Sequence, residues 1–395
     1  MEQELYSHPS LLFKSQIGEV RKRTFKEQFM RSAFTSLDYE PIMECRVSAT
    51  VNYIDIDPTM KFSLASDCDG NISIYEIEEE ARGRLRLIER RQFVPLTLNK
   101  SQWFPIDNGL IAATYPNKVV LVDTNTLKLL DSYDFGQKKI YSSDWNKLNP
   151  NLITVGTSGS SIRFIDIRSG CCLQQITVAS LLGSSNHSVS RVCWSPIDEE
   201  CLFAGDSSGF IHIFDIRKPR QSLQSIGSDN TTCEPVVNLS FTCDNMNLIT
   251  AHGAQSHLSQ WTFKNRTLVN SNINYPFSYC RPTSKKKSSA INISTAFYKC
   301  QLYVTETLLF KPISVPNFGS EICVYDLKNG ERLRTLSPTT WNPDNCMNVH
   351  CVTGFHRDYP VLISGSKRYI RVWGLENNKK DAEQRTNQYH EDDWC

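Results

Sequence analysis

The stretch Phe203-Ala-Gly-Asp-Ser-Ser-Gly-Phe-Ile-His-Ile-Phe-Asp215 holds the pattern that decides the fold of this chain. An apolar segment ends in a turn of small residues. A second segment of alternating side chains follows and ends at an acidic residue. A period of two residues is typical of β-strands packed between neighbouring sheets, so the stretch is predicted to form a β-hairpin. The pattern recurs clearly three more times, at Ala65–Ile77, Val155–Ile167 and Ile363–Leu375.

Seven copies of this pattern follow one another along the chain. Weaker copies surround Val119–Asp123, Leu258–Trp261 and Ile322–Asp326. The residue before the acidic position is in turn Tyr75, Val122, Ile165, Phe214, Trp261, Tyr325 and Trp373, with gaps of 47, 43, 49, 47, 64 and 48 residues. A blade of four short antiparallel strands needs roughly 40–45 residues, so each gap fits one blade and the longest carries an insert. The repeat therefore predicts an all-β fold, a seven-bladed β-propeller.

The repeats resemble the WD-repeat family. The Trp-Asp dipeptide of that family never occurs here, and Tyr-Glu, Val-Asp, Ile-Asp, Phe-Asp and Tyr-Asp take its place. A strand with an aromatic end precedes most copies and is predicted to be the innermost strand of each blade, at Trp103, Trp145, Trp194 and Phe241. Residues Ile42 to Val47 are predicted to form the outer strand of the last blade. This pairing closes the ring, and an open sheet edge would otherwise be a template for aggregation.

Composition gives no electrostatic demand for nucleic acid or for an anionic membrane. The 395 residues include 43 basic and 42 acidic side chains, a net charge of +1, so no overall field attracts a polyanion. No stretch approaches the roughly 18 apolar residues of a membrane span, and the acidic start Met1–Leu5 lacks the pattern of a secretory signal. The 14 cysteines are scattered without disulfide-module spacing, which predicts free thiols in a reducing compartment, the cytosol or the nucleus.

Three segments are predicted along the chain: an N-terminal helical segment at 1–40, the propeller at 41–376 and an acidic disordered tail at 377–395. Ser10 is a candidate N-cap for a first short helix that ends at Gly18, and a second helix is expected from Val20 to Arg31. The tail is dense in charge and poor in apolar residues, which is typical of disorder in isolation.

No catalytic centre is recognisable in the sequence. There is neither a glycine-rich phosphate-binding motif nor the Gly-x-Ser-x-Gly turn of a nucleophilic serine. The Cys/His groups at Cys346–Cys351 and at His252 with His257 lack the flanking residues that would complete four zinc ligands. We interpret them as a strand start and a turn. A non-enzymatic protein without metal or cofactor is expected.

Two Asp-x-Arg triplets end the third and fourth repeats, Asp166-Ile-Arg168 and Asp215-Ile-Arg217. Residues i and i+2 of a strand point to the same side, so each arginine is expected to emerge beside its aspartate at one rim of the ring. An arginine oriented by a carboxylate can donate outward to a partner protein. The alternative is an ion pair within the blade that has little energetic consequence. Their occurrence in successive blades, together with an N-terminal helix, favours docking.

The chain resembles the family of the Cockayne syndrome A protein, the WD-repeat substrate receptors of the cullin 4–RING ubiquitin ligase. The resemblance is sharpest across residues 119–217 and weakest after residue 262. The segments that carry it are Leu11–Gly18, Asp123–Leu127, Val155–Cys171, Val192–Pro196 and Asp215–Arg217, with an acidic pair before Trp394. The run at 123–127 and the N-terminal helix are more specific than the blade pattern, which any WD-repeat protein shares.

In that family an N-terminal helix and an Asp-x-Arg box after the third strand of a blade bind the adaptor damaged-DNA-binding protein 1. The resemblance therefore implies adaptor-binding roles for Leu11, Leu12, Phe13, Ile17, Asp166, Arg168, Asp215 and Arg217. In the tail, the candidate partner-binding residues are Asp392, Asp393 and Trp394, and the alternative is an inert tail.

The resemblance implies a substrate-recognition subunit of a cullin 4–RING E3 ubiquitin ligase that acts in transcription-coupled nucleotide excision repair in the nucleus. It also implies the Cockayne syndrome B ATPase and stalled RNA polymerase II as partners. No membrane partner and no direct nucleic acid contact are expected. The alternative is a WD-repeat scaffold of another nuclear complex, in RNA processing or chromatin, whose Asp-x-Arg pairs are structural.

Overall fold

The chain forms a seven-bladed β-propeller that is nearly all β and matches the WD-repeat fold, as the repeat spacing predicts. A computed structural model describes residues 18, 22–36, 39–78, 84–177, 187–227, 234–253, 257–276, 300–315, 319–337, 349, 351–356, 360–367 and 369–375. Within these ranges there is one helix, α1 (Lys22–Ser36), which has neither the length nor the apolar character to cross a membrane.

The first four blades follow the opening strand β1 (Tyr39–Arg46). The first blade contains β2 (Val51–Ile56), β3 (Phe62–Asp67), β4 (Asn71–Glu78) and β5 (Arg84–Gln92). The second contains β6 (Lys100–Trp103), β7 (Leu110–Thr114), β8 (Lys118–Asp123) and β9 (Lys128–Asp134). The third contains β10 (Ile140–Trp145), β11 (Leu152–Thr157), β12 (Ser161–Asp166) and β13 (Cys171–Thr177). The fourth contains β14 (Val189–Trp194), β15 (Cys201–Asp206), β16 (Ile211–Asp215) and β17 (Gln224–Ile226).

The remaining three blades complete the ring. The fifth contains β18 (Val236–Phe241), β19 (Asn247–His252), β20 (His257–Lys264) and β21 (Thr267–Asn270). The sixth contains β22 (Tyr303–Val304), β23 (Leu308–Val315), β24 (Gly319–Asp326) and β25 (Arg332–Leu336). The seventh contains β26 (Cys351–His356), β27 (Pro360–Gly365), β28 (Tyr369–Leu375) and, on its outside, β1.

The seventh blade joins the two ends of the propeller. Strand β1 pairs antiparallel with β28, from Tyr39 opposite Leu375 to Arg46 opposite Tyr369. The predicted closing strand is therefore confirmed, although it begins three residues earlier than the apolar pattern at Ile42 indicated. The other six blades are antiparallel sheets of four consecutive strands.

Apolar residues between neighbouring blades form the core. Phe164 of the third blade packs against Trp194 of the fourth, with ring centroids 6.0 Å apart, in a cluster that includes Phe214. The approach of adjacent blades is close enough to require glycine at one position. A Cβ added at Gly205 would lie 2.5 Å from the Cβ of Val236 in the next blade, so a larger residue there would push two blades apart.

Helix α1 packs on the outside of the ring. Phe34 is fully buried and its ring centroid lies 4.8 Å from that of Phe310 in the sixth blade, while Met30 is 3% exposed in the same cluster. The predicted second helix, Val20 to Arg31, thus exists but extends to Ser36. The contact of Phe34 with a distant strand accounts for the extra turn, and no local signal reveals it.

Candidate protein-docking surface

The seven innermost strands run in the same direction around a central channel. Because they are parallel, their carboxyl ends all emerge on one face of the ring, which we call the lower face. This face consists of the loops between the first and second strands and the turns between the third and fourth strands of the blades. The opposite, upper face consists of the loops between second and third strands and the connections between blades.

Polar side chains line the channel, which has a volume of about 570 Å³. Lys100 contacts Asp144 of the next blade at 3.3 Å. The same carboxylate accepts the backbone N–H of Trp194 at 2.9 Å. Asp55 likewise accepts the backbone N–H of Trp103 at 2.9 Å, and its burial raises its pKa. These polar groups join successive blades to each other, so their arrangement is structural.

No metal-binding group stands out among the residues that the structure describes. None of the described residues form a group of three or more His, Cys, Asp or Glu side chains that could hold an ion. The dense sequence group at Cys346–Cys351 lies mostly outside the described residues, and Cys351 itself is buried in an inner strand.

The second Asp-x-Arg triplet forms a two-pronged ion pair at the lower face. Arg217 donates from Nε and Nη2 to the two carboxylate oxygens of Asp215, at 3.1 and 2.8 Å. Its third guanidinium nitrogen lies 2.8 Å from Glu200 in the first loop of the same blade. The hydrogen bonds from Arg217 lower the pKa of Asp215. Both guanidinium edges are therefore engaged within the blade, although 56% of the side chain is exposed.

Arg266 brings the next blade into this ion pair. It lies in the two-residue turn between β20 and β21 and donates to Asp215 at 2.6 Å and to Asp198 at 2.6 Å. A third contact, at 3.2 Å, reaches Glu200. We call Asp198, Glu200, Asp215, Arg217 and Arg266 the rim cluster. Because Arg266 of the fifth blade joins Arg217 in binding three carboxylates of the fourth blade, the cluster stabilises the blade interface more than an isolated surface pair would.

The first triplet behaves differently. The backbone N–H of Arg168 donates to the carboxylate of Asp166 at 2.9 Å, but the Arg168 side chain is exposed. In the described ranges its guanidinium makes no hydrogen bond and no ion pair. The two predicted arginines therefore differ in their contacts. Arg217 binds acidic residues of its own blade, while the side chain of Arg168 is exposed to solvent.

Helix α1 also lies at the lower face. Arg31 forms an ion pair of 2.5 Å with Asp326, which ends the third strand of the sixth blade as Asp215 does in the fourth. Glu27 accepts hydrogen bonds from Thr305 and Thr307 in the first loop of the same blade. Burial raises the pKa of Glu27. The helix is thus fixed on the ring at the sixth blade.

Four of the large apolar side chains exposed on the lower face share one type of loop. Each lies in the loop between the first and second strands of one blade, from the second blade to the fifth. They are Ile106, Leu148, Ile197 and Met246, with 63, 47, 57 and 53% of their surface exposed. Single exposed apolar residues are normal, but four in the corresponding loop of successive blades mark a surface typical of a protein interaction site. We call this set the apolar arc.

The apolar arc and the rim cluster are adjacent. Leu148, Ile197 and Arg266 line one shallow depression of the lower face. The side-chain amide of Asn146 donates to the backbone oxygen of Glu199 at 3.0 Å and so ties the loops of the third and fourth blades together. The surface is therefore preformed: an apolar centre bordered by charged groups, the arrangement common to protein interfaces.

Two sets of predicted site residues lie outside the described residues. One is the apolar stripe of the N-terminal segment, Leu11, Leu12, Phe13 and Ile17. The other is the tail set, Asp392, Asp393 and Trp394. Sequence reasoning missed Arg266 and the apolar arc. A sequence signal for the arc exists, since in the second to fifth blades an apolar residue follows the inner strand by three or five positions.

Comparison with known proteins points to WD-repeat relatives. No protein-family model matches the chain. It is 25% identical over 224 residues to the WD repeat-containing protein ATCSA-1 of Arabidopsis thaliana, an alignment that covers 51% of this chain and 47% of that protein. It is 20% identical over 218 residues to the E3 ubiquitin-protein ligase COP1 of the same organism, over 54% of this chain and 30% of that protein.

A third relative has a different kind of name. The chain is 22% identical over 218 residues to the histone acetyltransferase type B subunit 2 of Candida albicans, over 54% of this chain and 48% of that protein. The chain therefore spans about half or less of the length of the curated relatives it matches. These similarities identify WD-repeat proteins as its distant homologues.

Proposed function

We propose that this chain is a WD-repeat substrate receptor that docks, through its lower face, on the adaptor of a cullin 4–RING E3 ubiquitin ligase. The observation that carries the proposal is the apolar arc, on the same face as Arg168, whose guanidinium no described residue binds. Exposed apolar residues of this kind favour a protein partner, and an exposed arginine on the same face favours one that offers carboxylates or backbone carbonyls.

The arrangement of α1 supports the same face as the docking surface. The helix is anchored by Phe34 and by the Arg31–Asp326 ion pair, so the chain that precedes it starts from the lower face. Residues 11–17 come only a few positions before α1. A short apolar helix starting there is marginal alone in water and gains stability in a partner's groove.

The mechanism is proximity. A receptor that holds a client on one surface and the adaptor on another raises the concentration of the ubiquitin-loaded enzyme around the client's lysines. The propeller needs no acid, base or metal of its own for this task. We accordingly propose a non-catalytic subunit without cofactor, built from residues 1–40 for docking, 41–376 as the ring and 377–395 as the tail.

The proposed partners follow from the resemblance in residues 119–217. They are the damaged-DNA-binding protein 1 adaptor with the cullin 4–RING ligase, the Cockayne syndrome B ATPase and stalled RNA polymerase II. The process is transcription-coupled nucleotide excision repair, in the nucleus. The similarities to ATCSA-1 and to a protein named as an E3 ubiquitin-protein ligase support this choice.

A chromatin scaffold is the second candidate. The similarity to a histone acetyltransferase subunit favours it, at nearly the same identity and coverage. In that case the Asp-x-Arg pairs are structural, as the engagement of Arg217 within its own blade already is.

Affinity purification of the tagged chain from cells distinguishes the two candidates. The proposal predicts the adaptor and cullin 4 at amounts close to one per chain, which intensity-based mass spectrometry measures. Stoichiometric recovery of a histone-modifying complex without the adaptor would favour the chromatin scaffold and contradict the proposal.

A further inference from the structure

The upper face carries a group of basic side chains at the second and third blades. Lys118 begins β8, Lys138 and Lys139 lie in the connection between the two blades, and Arg163 lies near the start of β12. We call these four residues the basic platform. They are on the opposite face from the apolar arc.

Backbone hydrogen bonds hold the loops of the platform in place. The N–H of Phe135 donates to the oxygen of Asn117 at 2.8 Å, which joins the connection to the second blade. The N–H of Ser158 donates to the oxygen of Lys139 at 2.8 Å, which joins it to the third blade. The backbone that carries the basic side chains is therefore held in place before any partner arrives, which lowers the entropic cost of binding.

Two members of the basic platform, Lys138 and Arg163, form no ion pair with the described residues. The Nε of Arg163 is buried without a hydrogen-bond partner there, while its guanidinium lies 5.7 Å from the ring centroid of Phe135. Lys138 donates to the hydroxyl of Ser161 at 3.1 Å and forms no ion pair there.

Two further features describe the charge of the platform. Burial and the positive charge of Arg163 lower the pKa of Lys138, so the two cations repel each other. Asp134 is the acid of this region. It lies opposite Lys118 in the sheet, is exposed, and accepts the backbone N–H of Gly136 at 2.6 Å. An anionic group that binds there stabilises both features. It supplies an acceptor for the buried donor, and it offsets the repulsion between the two like charges.

We propose that the basic platform binds an anionic peptide segment of a client protein, whose carboxylate or phosphate groups pair with Lys138 and Arg163. That the peptide belongs to a client protein rests on the proposed function, whereas the anion-binding site depends only on the basic platform. A nucleic acid fits less well, because it requires a longer basic track with aromatic platforms for the bases.

Fluorescence anisotropy with the full chain tests the proposal. The probes are an acidic peptide of about ten residues that alternates glutamate and glycine, and the same peptide with two phosphoserines. A thymidine oligonucleotide of similar length is the third probe. We expect both peptides to bind at low ionic strength. The double variant Lys138→Glu with Arg163→Glu, which reverses both charges, should lose about tenfold or more in affinity for them.

A matched control separates the platform from general charge effects. Lys128 begins β9 and Lys328 lies in the turn before β25, both exposed at the lower face, so Lys128→Glu with Lys328→Glu changes the net charge equally. This control should change peptide affinity by less than about twofold. Because Arg163 is half-buried, Lys118→Glu with Lys138→Glu provides a second test at positions that tolerate substitution. Thermal unfolding of each variant verifies the fold.

Three outcomes would overturn the inference. One is an equal loss of affinity in the control and platform variants. The second is no measurable peptide binding by the natural chain at low salt. The third is tighter binding of the oligonucleotide than of either peptide, with the same dependence on Lys138 and Arg163, which would assign the site to nucleic acid. Adaptor binding by the platform variants is measured separately, so failure of the docking proposal is distinguishable from failure of this one.

Discussion

At the scale of single residues, the rim cluster shows how one side chain can join two blades. The turn that carries Arg266 has two residues, Asn265 and Arg266, with φ angles of 51° and 60°. Glycine is the residue that adopts the positive φ angle of the second turn position most easily. Arginine is present instead, and its guanidinium contacts Asp198 and Asp215, so those contacts offset the conformational cost of the turn.

The two Asp-x-Arg arginines should differ in their effect on adaptor binding. Arg168→Glu removes a guanidinium that no described residue binds, so we expect a loss of about tenfold in adaptor affinity. Arg217→Glu should have a smaller effect on binding and a larger one on stability, since Arg217 neutralises Asp215 and Glu200. Surface plasmon resonance and thermal unfolding of both variants measure these effects. The reverse order of the two affinities would mean that Arg217 leaves its blade to contact the partner.

Buried His252 should make stability depend on pH. It is 3% exposed and hydrogen-bonded to Thr250, and burial lowers its pKa to about 4. The unfolded chain has a histidine pKa of about 6.5. His252 therefore binds a proton less readily in the folded state than in the unfolded state. Its contribution to the free energy of unfolding is complete above pH 6.5 and decreases as the pH falls toward 4. At pH 5 the loss is about 2 kcal/mol.

Urea unfolding at pH 7 and pH 5 measures this dependence. The natural chain should lose about 2 kcal/mol more between the two pH values than His252→Gln loses, because glutamine does not titrate. Equal losses would show that His252 is solvated enough to titrate normally.

At the scale of elements, α1 illustrates what local pattern omits. The sequence indicated a helix ending at Arg31, and the structure continues it to Ser36. Phe34 contacts Tyr39 at 4.2 Å and Phe310 at 4.8 Å between ring centroids, and both partners are in strands. Tertiary packing of this kind overrides short-range propensity, so the sequence alone could not predict the end of the helix.

Removal of the Phe34 ring should free α1 from the propeller. Phe34→Ala leaves a cavity among buried aromatic residues and should lower the free energy of unfolding by about 3–5 kcal/mol. Phe25, half-buried and stacked on Phe29 at 5.9 Å, is the control, and Phe25→Ala should cost clearly less. Urea denaturation followed by tryptophan fluorescence measures both. A loss below about 1 kcal/mol for Phe34→Ala would mean that the helix contributes little to the fold.

At the scale of the whole molecule, the ring was predictable because its signal is repeated. Seven hairpins with alternating side chains, and an apolar segment at Ile42 left to close the last blade, leave few other folds. Arg266 was not predictable, because its partners Asp198 and Asp215 are 68 and 51 residues away in sequence. The same reason hid the basic platform, whose members come from two strands and the connection between two blades. Contacts between blades depend on the closed ring and have no local pattern.

The two faces of the ring suit two different partners. The lower face combines the apolar arc, Arg168 and α1, while the upper face carries Lys138 and Arg163. A receptor in which adaptor and client bind opposite faces can hold both at once without steric conflict. That separation is what the proposed proximity mechanism requires.

Binding of purified adaptor to apolar-arc variants tests the central claim most directly. Leu148→Asp with Ile197→Asp places charges in the centre of the arc, where docking would bury them. Leu87→Asp with Ile88→Asp is the control, because these residues are 52 and 49% exposed in the middle of the outer strand β5. Isothermal titration calorimetry should show a loss of at least about a hundredfold for the arc variant and less than about threefold for the control. Unchanged affinity in a folded arc variant would contradict adaptor docking by the lower face.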